Sequence, residues 1–235
     1  MSRETALVAG MMPEPLTVYK RSTLRLYVEN KRWFFVAKRM TDILLSVLVI
    51  VCVLSWLIPV LAVLIKLNSR GPVFFLQKRV GRYGKSFTCI KLRTLPSHCV
   101  RQLRQQDDAP AIDRLGKFLR QSNLDELPQF INVLAGSMSI VGPRPHMHTD
   151  CAAFSQFIPQ YKFRNLVPPG ITGLAQVKGY HGPVESQQHA IHRYEWDAYY
   201  VRHASLLLDM QIMWLTLVQR LRFLLSRGKW QVAGN

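Results

Sequence analysis

Residues 43–65, "ILLSVLVIVCVLSWLIPVLAVLI", form the apolar run that decides how this chain folds. These 23 residues carry no charge. As a helix they would reach roughly 35 Å, enough to cross a hydrocarbon core of about 30 Å. A buried core helix is the weaker alternative because the run is long and uniformly apolar, and a cleaved signal peptide is disfavoured because the run starts so far into the chain. The sequence therefore predicts a membrane helix.

The charges on both sides of this run conflict with a simple transmembrane span. Residues 1–39 carry eight Lys and Arg against three acids, and residues 66–93 carry eight with no acid. Because Lys and Arg favour the cytoplasmic side, both flanks should stay there. Pro59 removes a helical hydrogen bond and clashes with the carbonyl of Ser55, whose hydroxyl can satisfy freed backbone groups. We predict a re-entrant helix broken at Pro59, with a kinked spanning helix as the alternative.

The composition indicates a folded protein with a polyanionic partner. The 235 residues carry a formal net charge of +17, and 49% of them are hydrophobic, which excludes a disordered basic tail. Such a charge favours nucleic acid, an anionic membrane surface or phosphorylated substrates. The four cysteines form no CxxC pair, so we expect reduced thiols in a cytosolic compartment rather than a disulfide framework or a zinc site.

Periodicity predicts an α/β, mostly helical fold for the rest of the chain. A hairpin is expected over 73–92, a short basic helix over 113–121, and buried strands in "SMSIV" and "ITGLAQV". An amphipathic helix over 124–135 should bury Leu127, Phe130, Ile131 and Leu134 and end at Gly136. The predicted organisation is a basic tail or amphipathic segment over 1–37, a re-entrant membrane helix over 38–66, and a cytosolic domain over 67–235 with an interfacial helix near 205–225.

Two adjacent acids, Asp125 and Glu126, stand out in "SNLDELPQFINVLAG" (122–136) because acids are scarce in this chain. A capping box of Asn123 with Glu126, or of Ser122 with Asp125, explains them locally, and the local pattern favours that interpretation. The alternative is functional, since two carboxylates among phosphate-binding cations could hold Mg²⁺ and attack phosphorus. The candidate cations are Lys91, Arg93, Lys117, Arg120 and Arg144.

Six stretches together closely resemble the bacterial monotopic phosphoglycosyl transferases, the sugar transferases that initiate exopolysaccharide and glycoconjugate assembly. The resemblance covers residues 38 to about 220. The stretches are "KRMTD" (38–42), "GPVFFLQKRVG" (71–81), "IKLRT" (90–94), "LGKFLRQSNLDELPQFINVLAGSMSIVGPRP" (115–145), "PPGITGLAQVKG" (168–179) and "WDAYYVRHASLLLDMQIMWLT" (196–216).

This resemblance implies a monotopic enzyme at the bacterial cytoplasmic membrane, with its catalytic domain on the cytoplasmic face. Such enzymes move a sugar 1-phosphate from a UDP-sugar to undecaprenyl phosphate in ping-pong order and release UMP. Asp125 would form the covalent phosphosugar intermediate, and Glu126 would hold Mg²⁺. Arg120 and Arg144 match positions that support the phosphates. The basic block containing Lys91 and Arg93 would bind the polyprenyl or nucleotide phosphate.

The resemblance also suggests partners and a donor. The blocks "GPRPHMHTD" and "KGYHGPVE" are similar to the glucose 1-phosphate branch, so UDP-glucose is expected first and UDP-galactose second. Membrane lipid, a homo-oligomer and other polysaccharide-assembly enzymes are the further expected partners. His146 and His148 lack a third metal ligand and are interpreted as surface or loop residues.

Two departures from the family pattern leave an alternative open. Ile58 precedes Pro59 where the family has serine, and Ser137 stands where relatives usually have aspartate. A non-enzymatic membrane scaffold with the same fold is therefore the competing hypothesis. Nucleic acid is not an expected partner, because the chain contains no recognisable helix-turn-helix or RNA-binding motif.

Overall fold

A computed structural model describes residues 31–95 and 113–225 of the chain. Within these ranges the fold is mostly helical, with two small two-stranded sheets. The elements are α1 (Arg32–Val49), a π-helical stretch (Ile50–Leu54), α2 (Ser55–Asn68), β1 (Phe74–Val80), a 3₁₀ turn (Arg82–Gly84), β2 (Ser86–Leu92), α3 (Arg114–Ser122), a 3₁₀ turn (Leu124–Glu126), α4 (Gln129–Leu134), β3 (Ser139–Val141), α5 (His148–Phe157), a 3₁₀ turn (Tyr161–Leu166), β4 (Gly170–Thr172), α6 (Leu174–Val177), α7 (Gln187–His203) and α8 (Leu206–Leu225).

The apolar run forms part of one continuous helix from Arg32 to Asn68. By length and composition it could cross a membrane, and no other helix in the described ranges meets that test. Many of its large apolar side chains are exposed, which is compatible with a lipid-facing surface. The predicted apolar membrane helix is therefore confirmed as a helix, and it begins before residue 38. Residues 1–30 of the predicted tail lie outside the described ranges.

The irregular turn of this helix lies ahead of the position predicted from Pro59. Pro59 is inside α2, whereas α-helical hydrogen bonding gives way to a π-helical stretch at Ile50–Leu54. The Ser55 hydroxyl donates to the carbonyl of Val51 at 2.6 Å, and Trp56 Nε1 donates to the carbonyl of Cys52 at 2.9 Å. Kinks arise both at prolines and at π-type turns, and here the two lie about one turn apart.

The first half of the long helix is attached to the domain by polar contacts. Lys38 Nζ lies 2.6 Å from Asp209 Oδ2 of α8, and both side chains are buried. Arg39 donates to the carbonyls of the last turn of α4, those of Val133 (2.5 Å) and Leu134 (2.8 Å). Asp42 Oδ1 accepts from the backbone N–H of residue 140 in β3 at 3.0 Å. These contacts fix α1 against α4, β3 and α8.

The second half of the helix returns to the same domain through a small apolar cluster. Leu61 and Ile65 of α2 pack with Leu92 of β2 and Leu119 of α3. The two halves therefore both contact the part of the chain that follows residue 70. A straight helix would separate Arg39 from Ile65 by about 39 Å.

Several predicted elements are confirmed by the structure. The hairpin is antiparallel with Phe74 opposite Leu92 and Val80 opposite Ser86, and residues 139–141 form a strand that pairs in parallel with β4. The short basic helix is α3, and the C-terminal apolar helix is α8. The stretch "ITGLAQV" is only partly a strand, because β4 ends at Thr172 and α6 follows.

The amphipathic helix predicted over 124–135 is wrong in its extent and its buried face. A 3₁₀ turn and a six-residue α4 replace it, and the buried side chains include Gln129 and Asn132, whereas Ile131 and Leu134 are exposed. The physical reason is visible at Asn132. Its Nδ2 donates to the carbonyl of residue 88 at 2.8 Å, and its Oδ1 accepts from the N–H of residue 90 at 2.9 Å. These bonds satisfy strand groups of β2, which favours a polar side chain inside.

Candidate active site

The two adjacent acids lie in the 3₁₀ turn between α3 and α4. Asn123, which ends α3, has φ +58° and turns the chain, and its carbonyl accepts from the N–H of Glu126 at 3.1 Å. Neither predicted capping box forms. The Asn123 side chain makes no capping bond, and the Ser122 hydroxyl donates back to the carbonyl of Phe118 at 2.8 Å. The carboxylates of Asp125 and Glu126 are buried instead, so the capping interpretation is corrected.

Glu126 is held by two cations. Its Oε1 accepts from Lys91 Nζ and from Arg144 Nη2, both at 2.6 Å, and its Oε2 accepts from Arg144 Nη1 at 3.0 Å. Burial opposes ionisation of this carboxyl, but the charges of Arg144 and Lys91 outweigh that effect and hold the pKa of Glu126 well below its usual range. Glu126 is therefore an ionised, fully compensated carboxylate.

Asp125 has no such compensation. The residue is 7% exposed, and its side chain makes no hydrogen bond or ion pair with any residue that the structure describes. Burial first, and the charge of Glu126 second, raise the pKa of Asp125 to about 6, against the opposing charges of Lys91, Arg144 and Arg120. A buried carboxylate left unpaired costs stability, which marks it as a candidate functional group. Beside several cations, it is suited to attack an anionic electrophile.

Arg144 is positioned by a close backbone crossing after β3. A Cβ added at Gly142 would lie 2.4 Å from the carbonyl oxygen of Pro168, so only glycine fits where the two segments cross. Arg164 Nη2 donates to the carbonyl of Arg144 at 2.6 Å. Arg164 in turn forms a buried ion pair with Asp197 of α7, with Nη2 and Oδ2 2.8 Å apart. A buried ion pair therefore supports the turn that carries the Arg144 guanidinium.

Two of the three remaining candidate cations, Arg120 and Arg93, differ in their placement, and the third, Lys117, is exposed on α3. Arg120 is exposed at the end of α3, its Nε donates to Thr94 Oγ1 at 2.7 Å, and its charge acts on Asp125. Arg93 is not brought to the carboxylates by any described contact. It is buried, and its guanidinium donates to the carbonyls of Ser69 (2.6 Å) and Arg70 (2.8 Å) at the end of α2. Cationic side chains commonly satisfy the last carbonyls of a helix in this way.

Sequence reasoning missed Arg220 of α8. It is half-buried, and the charges of Glu126 and Arg144 both act on it. The signal that could have identified it is helical spacing. Arg220 follows Thr216 by four residues and therefore lies on the same face of the helix as the buried Ile212, which packs against the domain.

The two histidines differ in burial. His146 lies in the loop between β3 and α5, as one of the two expectations had it, but it is buried, and its Nδ1 is hydrogen-bonded to the Tyr161 hydroxyl. His148 lies at the surface beside Ser86. The described residues contain no group of three or more His, Cys, Asp or Glu side chains placed to hold a metal ion.

Residues 33–222 match the family described as bacterial sugar transferase. The chain belongs to the bacterial sugar transferase family. Three relatives illustrate the breadth of this family. A UDP-glucose:undecaprenyl-phosphate glucose-1-phosphate transferase of Xanthomonas campestris pv. campestris is 42% identical over 197 residues, covering 82% of this chain and 40% of the relative. The exopolysaccharide production protein PSS of Rhizobium leguminosarum bv. phaseoli is 40% identical over 202 residues, covering 83% of this chain and 98% of the relative.

The third relative of this sugar transferase family is named for a different sugar. It is a UDP-N-acetylgalactosamine-undecaprenyl-phosphate N-acetylgalactosaminephosphotransferase of Aeromonas hydrophila, 42% identical over 182 residues, covering 77% of this chain and 42% of the relative. The chain thus spans about two fifths of the first curated relatives that it matches and nearly the whole of the Rhizobium protein.

Ser137 lies at the far end of α4 from the acids. The Ser137 hydroxyl donates to the carbonyl of Asn132 at 3.1 Å and, in the described ranges, makes no hydrogen bond with Asp125 or Glu126. This serine therefore stabilises the turn after α4.

Proposed function

We propose that this chain initiates exopolysaccharide or glycoconjugate assembly by transferring a sugar 1-phosphate from a UDP-sugar to undecaprenyl phosphate. One observation carries the proposal: Asp125 is buried and has no hydrogen-bond or ion-pair partner among the described residues, whereas the charge of the adjacent Glu126 is already compensated by Lys91 and Arg144. The two carboxylates therefore have separate tasks. Asp125 is available to form a bond, and Glu126 holds the cations around it.

The reaction has two displacement steps at one phosphorus atom. An Asp125 oxygen attacks the sugar-linked phosphorus of the donor, the phosphoanhydride bond breaks, and UMP leaves with the bridging oxygen. A phosphate oxygen of the lipid then attacks the same phosphorus and displaces the Asp125 carboxylate, giving the polyprenyl diphosphosugar. Arg144, Lys91 and Arg120 neutralise the negative charge that gathers in both steps.

Mg²⁺ is the proposed cofactor, because the protein oxygen atoms available at this site suit an ion that is bound mainly by the phosphates of the substrate. Mg²⁺ is usually bound through one or two carboxylates together with substrate phosphates. Glu126 Oε2 accepts a single hydrogen bond, from Arg144, which leaves it acceptor capacity for an ion. When bound, the ion would neutralise charge on the diphosphate.

UDP-glucose is the proposed donor, with UDP-galactose second. Support comes from the Xanthomonas relative, whose name specifies UDP-glucose, whereas the Aeromonas relative is named for UDP-N-acetylgalactosamine. Purified protein in detergent, with Mg²⁺ and undecaprenyl phosphate, should release UMP from UDP-glucose faster than from the other UDP-sugars of a panel. Release from a different UDP-sugar alone would replace the donor, and no release from any of them would favour the non-catalytic scaffold.

The proposed topology is re-entrant, with the domain at the cytoplasmic face of the bacterial inner membrane. Support comes from the helix ends, since residues on both sides of the π-helical stretch contact the same domain. Further support comes from exposed apolar side chains on α4 and α8, which suit a membrane surface. The basic flanks of the apolar run favour the cytoplasmic side.

Cysteine labelling tests this topology. In a variant whose native cysteines are replaced by alanine, Ser22→Cys and Lys85→Cys should both react with an impermeant maleimide only after the cytoplasmic side is opened. Val51→Cys, within the apolar helix, is the control and should stay unlabelled. Labelling of Ser22→Cys and Lys85→Cys from opposite sides would establish a spanning helix instead.

A further inference from the structure

Helix α8 has two different faces. Leu208 and Ile212 are buried, and Thr216 Oγ1 is hydrogen-bonded to Thr172 Oγ1 of β4 at 2.6 Å. Arg220 is the next position on this face, four residues later. The opposite face exposes an apolar stripe, defined by Leu207, Met210, Trp214, Leu217 and Leu221.

The rotation of α8 is fixed close to Arg220. Gln219 Nε2 donates to the carbonyl of Val177, the last residue of α6, at 3.0 Å. Together with the Thr216 contact, this bond holds the last turns of α8 against α6 and β4. Arg220 therefore occupies a set position at the junction of the apolar stripe and the domain.

Arg220 is a half-buried cation with no side-chain partner in the part of the chain that the structure describes. Its guanidinium makes no hydrogen bond or ion pair with any residue in 31–95 or 113–225. Burial lowers the pKa of Arg220, Glu126 raises it and Arg144 lowers it, so Arg220 lies within electrostatic reach of the candidate active site. With no anionic partner among the described residues, it is a cation whose charge a substrate phosphate could compensate.

We propose that Arg220 binds the phosphate of the lipid acceptor in the second step. The inference rests on the proposed function and assigns to the lipid phosphate a residue separate from Lys91 and Arg144. A guanidinium matches phosphate oxygens with two parallel hydrogen bonds. The apolar stripe places this guanidinium beside lipid, where a lipid-borne phosphate arrives at headgroup level. The diphosphate of the UDP-sugar is the other phosphate group that this guanidinium could bind. Measuring the two half-reactions separately distinguishes the two ligands.

The test measures each half-reaction of Arg220→Gln. UMP release without lipid should stay within about twofold of the unsubstituted protein, whereas the KM for undecaprenyl phosphate should rise about tenfold or more, the usual effect of losing a charge-assisted hydrogen bond. Arg220→Lys should recover part of the loss because it restores the charge. Arg222→Gln, an exposed arginine on the same helix, is the matched control and should change neither half-reaction.

Three results would overturn the assignment: equal slowing of UMP release without lipid, a raised KM confined to the UDP-sugar, or no change in either half-reaction. If the unsubstituted protein releases no UMP, the proposed function fails. The role of Arg220 is then tested by binding alone. Binding of undecaprenyl phosphate in nanodiscs is compared between the single variant Asp125→Asn and the double variant that also carries Arg220→Gln. Weaker binding of the double variant supports the lipid-phosphate contact, and equal binding rejects it.

Discussion

Replacing Asp125 by asparagine should abolish UMP release and, at neutral pH, make the protein more stable. The loss of activity should exceed about 10⁴-fold, as expected when a covalent nucleophile is removed. The gain in stability has a separate cause. Asp125 is buried beside another carboxylate and lacks a partner within residues 31–95 and 113–225, so its negative charge destabilises the folded state, and asparagine has no such charge.

The pH dependence of this stability effect has a defined sign. The pKa of Asp125 is about 6 in the folded protein against an ordinary value of 3.8. The folded state therefore holds the proton more tightly, and unfolding becomes easier as the pH rises from about 4 through 6. Above that window the penalty approaches about 3 kcal/mol, which asparagine removes. When Tm is measured from pH 4 to 8, the Tm of Asp125→Asn relative to that of the unsubstituted protein should increase as the pH rises.

Glu126→Gln is the matched control because it removes one charge from the adjacent position. Lys91 and Arg144 then lose their shared partner, so the free energy of unfolding should fall by about 3 kcal/mol, opposite in sign to the change at Asp125. Stability changes of the same sign in both variants would contradict the division of tasks between the two carboxylates.

Asp197→Asn should be among the most destabilising single substitutions in the chain. Arg164 and Asp197 are both almost fully buried, and removing one member leaves a buried charge uncompensated at a cost of about 3–5 kcal/mol. Because Arg164 also donates to the carbonyl of Arg144, the protein that remains folded should transfer sugar phosphate more slowly. Denaturant unfolding and UMP release by the folded fraction measure the two effects.

Glu195→Gln provides the comparison on the same helix. Glu195 pairs with His192 at 3.0 Å, but this pair is partly exposed, so its loss should change the free energy of unfolding by no more than about 0.5 kcal/mol. If Asp197→Asn were as mild as Glu195→Gln, the buried ion pair would not be what supports the Arg144 turn.

The long apolar helix, the hairpin and α3 follow from local signals that the sequence displays. Uniform apolarity over 43–65 and turn residues between two β-like runs are sufficient for these elements. The irregular hydrogen bonding near Pro59 could not be predicted in this way. It lies at Ile50–Leu54, and these five apolar residues do not differ in type from the rest of the apolar run.

The errors in the site arise from tertiary contacts. Asn132 is buried because it satisfies backbone groups of β2, a need that cannot be seen in the periodicity of 124–135. Arg93 and Lys91 share one basic block, yet Arg93 holds the end of α2 and Lys91 holds Glu126. Arg220 lies about a hundred residues from the acids in sequence, and only the packing of α8 brings it near them.

The most direct measurement is mass spectrometry of the protein after incubation with the UDP-sugar and Mg²⁺ in the absence of lipid. We expect one sugar phosphate attached to the peptide that contains Asp125, formed together with one equivalent of UMP and discharged when undecaprenyl phosphate is added. Turnover by the unsubstituted protein with no adduct on Asp125, or full UMP release by Asp125→Asn, would contradict the covalent mechanism.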